Sequence, residues 1–360
     1  MSVETSELQQ ALAAVTDPNT GKPFGEEPFR NLEVDGGNVA FECELGYPAR
    51  SQFAELRQLL IAAAKNVAGV ENVSASVVTR IQARASNRGA AIPGVKNVIA
   101  VASGKGGVGK STTATNLALA LAAEGAVVGI LDADIYGPSQ PLMMGVSGRP
   151  TSPDGKSMEP LHNYGVQVNS IGFMVEPDQA MIWRGPMATQ ALEQLMRQTN
   201  WRDVDYLVVD MPPGTGDIQL TLTQRVPVTG AIIVTTPQDI ALADARKAVT
   251  MFEKVGVPIL GLVENMAMHV CSNCGQVEHI FGADGGRRYA EEKGLAYLGA
   301  LPLAMSIREQ TDSGNPTVVA EPDGEIAGIY KDVARQVAIR IATQAVEFPS
   351  KLPTISISQD

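Results

Sequence analysis

Two groups of residues in this 360-residue chain have types and spacings suited to chemistry. The first is SGKGGVGKST, residues 103–112, where Gly104, Gly109, Lys110 and Ser111 satisfy the phosphate-loop spacing G-x-x-x-x-G-K-[ST]. Glycines in such a loop let backbone N–H groups turn inward around phosphates, at the positive end of the helix starting near Lys110. Lys110 is placed to reach the β- and γ-phosphates, and the Ser111 hydroxyl to ligate Mg²⁺. Gly106, Gly107, Val108 and Thr112 complete the cradle, and Lys105 adds a second lysine directly after the first glycine. Taken alone, Lys105 is equally compatible with a solvated loop position.

Three aspartates follow apolar runs. Asp210 ends DYLVVD, where a carboxylate after a buried strand suits the Mg²⁺ side of a nucleotide site. Asp132 and Asp134 end GILDAD, at the strand edge where open α/β sheets bind ligands. Simple capping of a strand end competes with a chemical role, most evenly at Asp132.

The second group is NMAMHVCSNCGQVEHIFG, residues 265–282, with Cys271 and Cys274 in a C-x-x-C spacing between His269 and His279. The chain has one other cysteine, Cys43, and one other histidine, His162. Two thiols are half of a closed zinc or iron–sulfur site. One completion is intrachain zinc, adding His279 and His269. A thioredoxin-like dithiol fits less well, because its C-x-x-C begins a helix in another motif. An incidental pair fits poorly, since exposed free thiols are liabilities. Cys43 alternates with Phe41 and Leu45 in a strand pattern and reads as a packed core thiol.

The elements that must position these groups are legible in outline. Apolar residues make up 44% and charged residues 19%, ordinary for a chain with a real core. The net charge of −11 disfavours general nucleic-acid binding and docking to an anionic membrane. No apolar run approaches the ~20 residues of a membrane span, and MSVETSELQQ lacks signal-peptide regions. The sparse cysteines fit a reducing cytoplasm.

Residues 1–83 predict a small α/β domain: a helix at 6–15, a hairpin across Asp35-Gly36-Gly37, a helix at 52–67 and a third strand near 73–77. Residues 84–96 read as a linker. Residues 97–346 alternate continuous apolar runs (97–103, 126–134, 205–211, 230–236, 259–266) with helical stretches (111–124, 186–199, 239–255, 285–293, 325–346). That alternation predicts an α/β fold with a mostly parallel sheet covered by helices on both faces. Residues 347–360 read as an irregular tail.

The loop G-K-G-G-V-G-K-S resembles the deviant phosphate loop of a dimeric ATPase class, which includes the nitrogenase iron protein, the Min/Par partition ATPases and the Mrp-type carriers. Within that class, IWRGPM (182–187), DYLVVDMPPGTGD (205–217), TTPQDIALADA (235–245), GLVENM (261–266), HIFG (279–282) and LGALPL (298–303) resemble the Mrp/ApbC iron–sulfur cluster carrier family from about residue 98 to 319. The resemblance implies ATP and Mg²⁺ as cofactors and a homodimer in which Lys105 touches the partner's nucleotide. It implies that Asp134 handles the attacking water, Asp132 supports Mg²⁺ and Asn265 contacts adenine, although an Asn after a strand is also a turn former. The PPGTGD segment after Asp210 would respond to the γ-phosphate.

A two-fold axis joining two C-x-x-C pairs would assemble the four thiolates of a [4Fe–4S] cluster. The implied partners are apoprotein cluster acceptors and upstream scaffold proteins. The first 83 residues resemble the metal–sulfur cluster assembly domain, but Tyr47-Pro48 stands where that domain often carries Cys-Pro. A Min/Par-like positioning ATPase and a zinc-binding ATPase acting as metal chaperone are the alternatives.

Overall fold

The structure, a computed structural model, describes residues 3–84, 90–174 and 185–344. The N-terminal part runs α1 (Thr5–Ala13), β1 (Phe29–Asp35), β2 (Asn38–Leu45), α2 (Phe53–Lys65) and β3 (Asn72–Thr79). The turn between β1 and β2 uses Gly36 at φ +59°, a left-handed conformation that glycine adopts without strain. Strand β2 pairs antiparallel with β1 and parallel with β3. Its alternate residues Val39, Phe41, Cys43 and Leu45 are buried. Leu56, Leu60 and Ala64, one turn apart on α2, bury with them. Burial pushes the Cys43 thiol up to about 12, so it is a packed, protonated core thiol.

The larger sheet begins at β4 (Val95–Ala102), two residues before the apolar run suggested. It continues through α3 (Lys110–Ala123), β5 (Val128–Asp132), β6 (Leu161–Asn163), β7 (Val166–Ser170), α4 (Gly185–Gln198) and β8 (Val204–Asp210). Then come α5 (Asp217–Arg225), β9 (Gly230–Thr235), α6 (Asp239–Lys254), β10 (Ile259–Val270), β11 (Val277–Glu278), α7 (Gly285–Lys293), β12 (Tyr297–Pro302) and α8 (Glu325–Ala342). The strand order is β11-β10-β9-β4-β8-β5-β7-β6, with β12 also on β10. Pairing is parallel except where the short β6 and β11 turn back on their neighbours. Strands β5, β7, β8 and β9 are buried along their whole length, as a sheet covered on both faces requires. Thus the C-terminal ends of β4, β5 and β8 lie side by side.

Helix α3 is rich in Ala and Leu and is buried nearly all round, between the sheet and α8. Its C-terminal end meets the N-terminal part. The Glu124 carboxylate, fully buried, accepts from Ser51 (N at 3.0 Å, Oγ at 2.6 Å) and from Arg335 on α8 (2.6 Å). Leu8 and Leu12 of α1 share one apolar core with Val337 and Ile341 of α8. The two sheets therefore have a common core rather than two separate ones. Part of the linker (85–89), half of IWRGPM (182–184) and the tail (347–360) lie outside the described residues. Among the described residues, no helix is long and apolar enough to cross a membrane.

Candidate functional site

The strand β4 delivers the phosphate loop at its C-terminal end, and α3 leaves from it. Lys105–Gly107, Gly109–Thr112, Asp134, Gly137, Ser139 and Pro213 line a cleft of about 270 Å³ together with Ser103 and Met143. Gly104 is required by contact: a Cβ there would lie 2.1 Å from the Asp244 backbone in the second turn of α6. Gly109 is required twice, by φ +79° and because a Cβ would meet the Asn265 amide at 2.1 Å. Lys105 lines the cleft and forms no ion pair among the described residues, leaving its ammonium available.

Behind the cleft, the Lys110 ammonium is ion-paired with Asp210 Oδ1 and also reaches Ser111 Oγ at 3.1 Å. Lys110 is 6% exposed and Asp210 is fully buried. Ser111 Oγ and Asp210 offer the hard oxygens that Mg²⁺ prefers, so the residues present fit that ion.

Gln140 was not singled out by the sequence. Its Nε2 donates to Asp210 Oδ2 (2.9 Å) and to the Ser111 carbonyl (3.3 Å), and its Oε1 accepts from Thr115 (2.8 Å). It thus locks the carboxylate of β8 to the helix of the phosphate loop. The one local signal is Pro141, which marks a helix start.

Asp132 and Asp134 part company. Asp132 is fully buried and accepts from Asp134 N (3.1 Å), Ser139 N, Gln140 N and Ser170 Oγ (each 3.0 Å). Those bonds fold the loop after β5, so the carboxylate is engaged in structure rather than facing the cleft. Burial and the Asp210 carboxylate raise its pKa, while the Gln140, Ser170 and Asp134 donors oppose them. Asp134 does face the cleft; burial raises its pKa and Lys110 lowers it. Beyond β8, the PPGTGD loop is tethered by Gly214 N to the Ser103 carbonyl (3.0 Å), and Ser103 Oγ donates to the Lys105 carbonyl (2.8 Å). Asn265 Nδ2 donates to the Val108 carbonyl (2.8 Å). That bond braces the phosphate loop.

The cysteine pair sits at the tip of a hairpin. Strand β10 runs on to Val270, four residues past the apolar run, and pairs with β11 through His269↔Glu278 and Val270↔Val277. The turn closes with Gly275 N on the Cys271 carbonyl (2.8 Å) and Cys271 N on the Gln276 carbonyl (2.9 Å). Cys274 is exposed and Cys271 partly so. The Cys274 and Asn273 backbone N–H groups lower the Cys271 pKa, favouring the thiolate that binds metal. Around the tip, Val270, Val277 and Ile280 are exposed apolar side chains.

His269 Nδ1 bonds the Leu303 carbonyl (3.0 Å) and His279 Nδ1 the Ala267 carbonyl (2.9 Å). Among the described residues, no group of three or more His, Cys, Asp or Glu could hold a metal ion. Cys271 and Cys274 stand as a two-thiol half.

Comparison with known proteins agrees with this geometry. The family described as "NUBPL iron-transfer P-loop NTPase" matches residues 94–338, and "Iron-sulfur cluster assembly protein" matches residues 5–77. An "Iron-sulfur cluster carrier protein" of Escherichia coli K12 is 54% identical over 314 residues, covering 86% of this chain and 85% of its own length. A protein of the same description from Salmonella typhimurium is 60% identical over 262 residues (72% and 71%). A solved nucleotide-binding protein in complex with ADP from Archaeoglobus fulgidus is 36% identical with TM-score 0.56, covering 64% of this chain and 90% of that one. A buried Lys–Asp pair beneath a glycine loop, an exposed two-thiol hairpin and these matches agree: the chain belongs to the family of NUBPL-type iron-transfer P-loop NTPases.

Proposed function

We propose that this protein is a homodimeric ATPase that carries a labile [4Fe–4S] cluster between two copies of the Cys271–Cys274 hairpin and transfers it to apoproteins. The observation that supports it is the hairpin: two thiols at an exposed turn, Cys274 exposed and Cys271 partly so, with no third His, Cys, Asp or Glu grouped with them among the described residues. Four thiolates satisfy a [4Fe–4S] cluster, and a two-fold axis supplies the second pair. A cluster at an exposed tip lacks the burial that resists release, which suits delivery over storage.

ATP and Mg²⁺ bind at the loop of residues 104–112, with Lys110 on the phosphates and Ser111 and Asp210 toward the ion. Asp134, facing the cleft, orients the attacking water. Lys105 reaches across the dimer to the partner's nucleotide. Acceptor apoproteins and upstream scaffold proteins are the partners, in a reducing cytoplasm. A Min/Par-like positioning role gains nothing from the thiol pair. The expected measurement is direct: anaerobically reconstituted protein, mixed with an apo iron–sulfur enzyme, restores that enzyme's activity as its own visible absorption falls. Tight retention of the cluster with no acceptor activation contradicts the carrier reading.

Lys105→Ala is expected to lower ATP hydrolysis by about 10²-fold, the loss of one charge-stabilising donor, with an unchanged denaturation midpoint. The fold is spared because Lys105 makes no ion pair among the described residues. Hydrolysis at the parent rate would remove the lysine from the reaction.

A further inference from the structure

The phosphate loop and the cysteine hairpin are described above as separate sites. They are joined by three residues of β10. Upstream, Glu264 is held fast: its carboxylate accepts from Gly286 N (2.6 Å) and Tyr297 OH (2.8 Å). Downstream, the hairpin arm is held as a unit by Leu303 N on the Met268 carbonyl (2.7 Å) and His269 Nδ1 on the Leu303 carbonyl. Between the two, the register of β10 against β12 breaks, resuming at Met268↔Pro302. Met266 sits in the break at φ +57°, a left-handed conformation unusual for a long side chain.

This irregular link touches the nucleotide loop. Asn265 Nδ2 bonds the Val108 carbonyl, and the Met266 methyl lies 3.8 Å from where a Cβ on Gly109 would stand. On its other side, the Ala267 carbonyl is bonded by His279 of the returning hairpin strand. Movement of the Val108–Gly109 peptide therefore meets the segment whose backbone sets the direction of the cysteine arm. A regular strand would resist such movement through its ladder bonds; a break with a strained residue has a second conformation within reach.

Building on the carrier reading, we infer that Asn265 and Met266 are positioning residues that convert the nucleotide state of the phosphate loop into the orientation of the Cys271–Cys274 hairpin. ATP acts on the cluster site through them, because phosphate binding favours one arrangement of the loop and the link favours the matching arrangement of the arm. Asn265 anchors the link to the loop, and Met266 keeps it bent against Gly109.

The test follows iodoacetamide alkylation of Cys271 and Cys274 by mass spectrometry on the full-length, cluster-free chain, with and without a non-hydrolysable ATP analogue and Mg²⁺. Buried Cys43 serves as the internal blank. In the parent protein the analogue is expected to change the alkylation rate by at least about five-fold. Met266→Gly tolerates the left-handed backbone and removes the side chain that lies beside Gly109. It is expected to bind the analogue with parent affinity yet show a rate ratio close to one. Met266→Asn, which also accepts a left-handed φ, is expected to behave the same way.

A parent protein whose thiols ignore the analogue overturns the inference. So does either variant with the full parental response, the result expected if burial in a dimer alone controls the thiols. Anaerobic cluster uptake by Met266→Gly reports separately on the carrier reading: parental uptake leaves that reading standing whichever way alkylation goes.

Discussion

Lys110→Ala loses ATP hydrolysis by about 10³-fold and, unlike a surface lysine, also lowers global stability by roughly 3–5 kcal/mol. The two effects share one cause. Lys110 is the partner of a carboxylate with no solvent exposure, and its removal leaves Asp210 charged and buried with the Gln140 amide as its remaining donor. Stranding one half of a buried pair costs more than deleting both halves. Adding Asp210→Asn to Lys110→Ala is therefore expected to recover most of the denaturation midpoint while hydrolysis stays lost. Urea titration of the single and double variants, with hydrolysis measured alongside, separates the roles. A single variant as stable as the parent would show that the buried Lys110–Asp210 pair does not hold the fold together.

The second large effect concerns cargo. Replacing both Cys271 and Cys274 with alanine is expected to abolish cluster uptake, with nucleotide binding and the denaturation midpoint preserved. Both side chains sit at an exposed turn, and the turn is closed by backbone bonds that alanine keeps. Each alone is expected to be nearly as damaging, because in a two-fold site one substitution removes two of four thiolates. Visible absorption after anaerobic incubation with iron and sulfide reads the result. Normal uptake in the double variant would move the cluster away from this hairpin, and Cys43, buried with its thiol pushed up to about 12, is not a ready substitute.

Much of this site was legible from residue order. The phosphate loop, Asp210 and the C-x-x-C spacing are local patterns, and the buried strands that carry them are continuous apolar runs ending within about two residues of the observed β5, β8 and β9. What escaped is long-range or polar. Strands β6 and β7 come from the short polar run LHNYGVQVNS, which has no apolar period to read. Gln140 gains its role from Asp210, seventy residues away, and Asn265 from the Val108 carbonyl, 157 residues away. Asp132 was expected beside Mg²⁺, but in this structure its carboxylate accepts from Asp134, Ser139 and Gln140 after β5 and from Ser170 at the end of β7, partners that residue order does not reveal. The histidines beside the cysteines suggested ligands, but among the described residues no group of three or more His, Cys, Asp or Glu could hold a metal ion. The irregular link at Asn265–Ala267 hid inside an otherwise ordinary apolar run, since backbone direction leaves no mark on composition.

One chain offers two thiols, so the account stands or falls on how many chains share a cluster. The most direct measurement is iron and sulfide content per chain after anaerobic reconstitution, on the species whose mass is fixed by light scattering. The expected result is a dimer with about two irons and two sulfides per chain, one [4Fe–4S] per pair. About four irons per chain on a monomer would contradict it, as would a tightly bound zinc ion in place of iron.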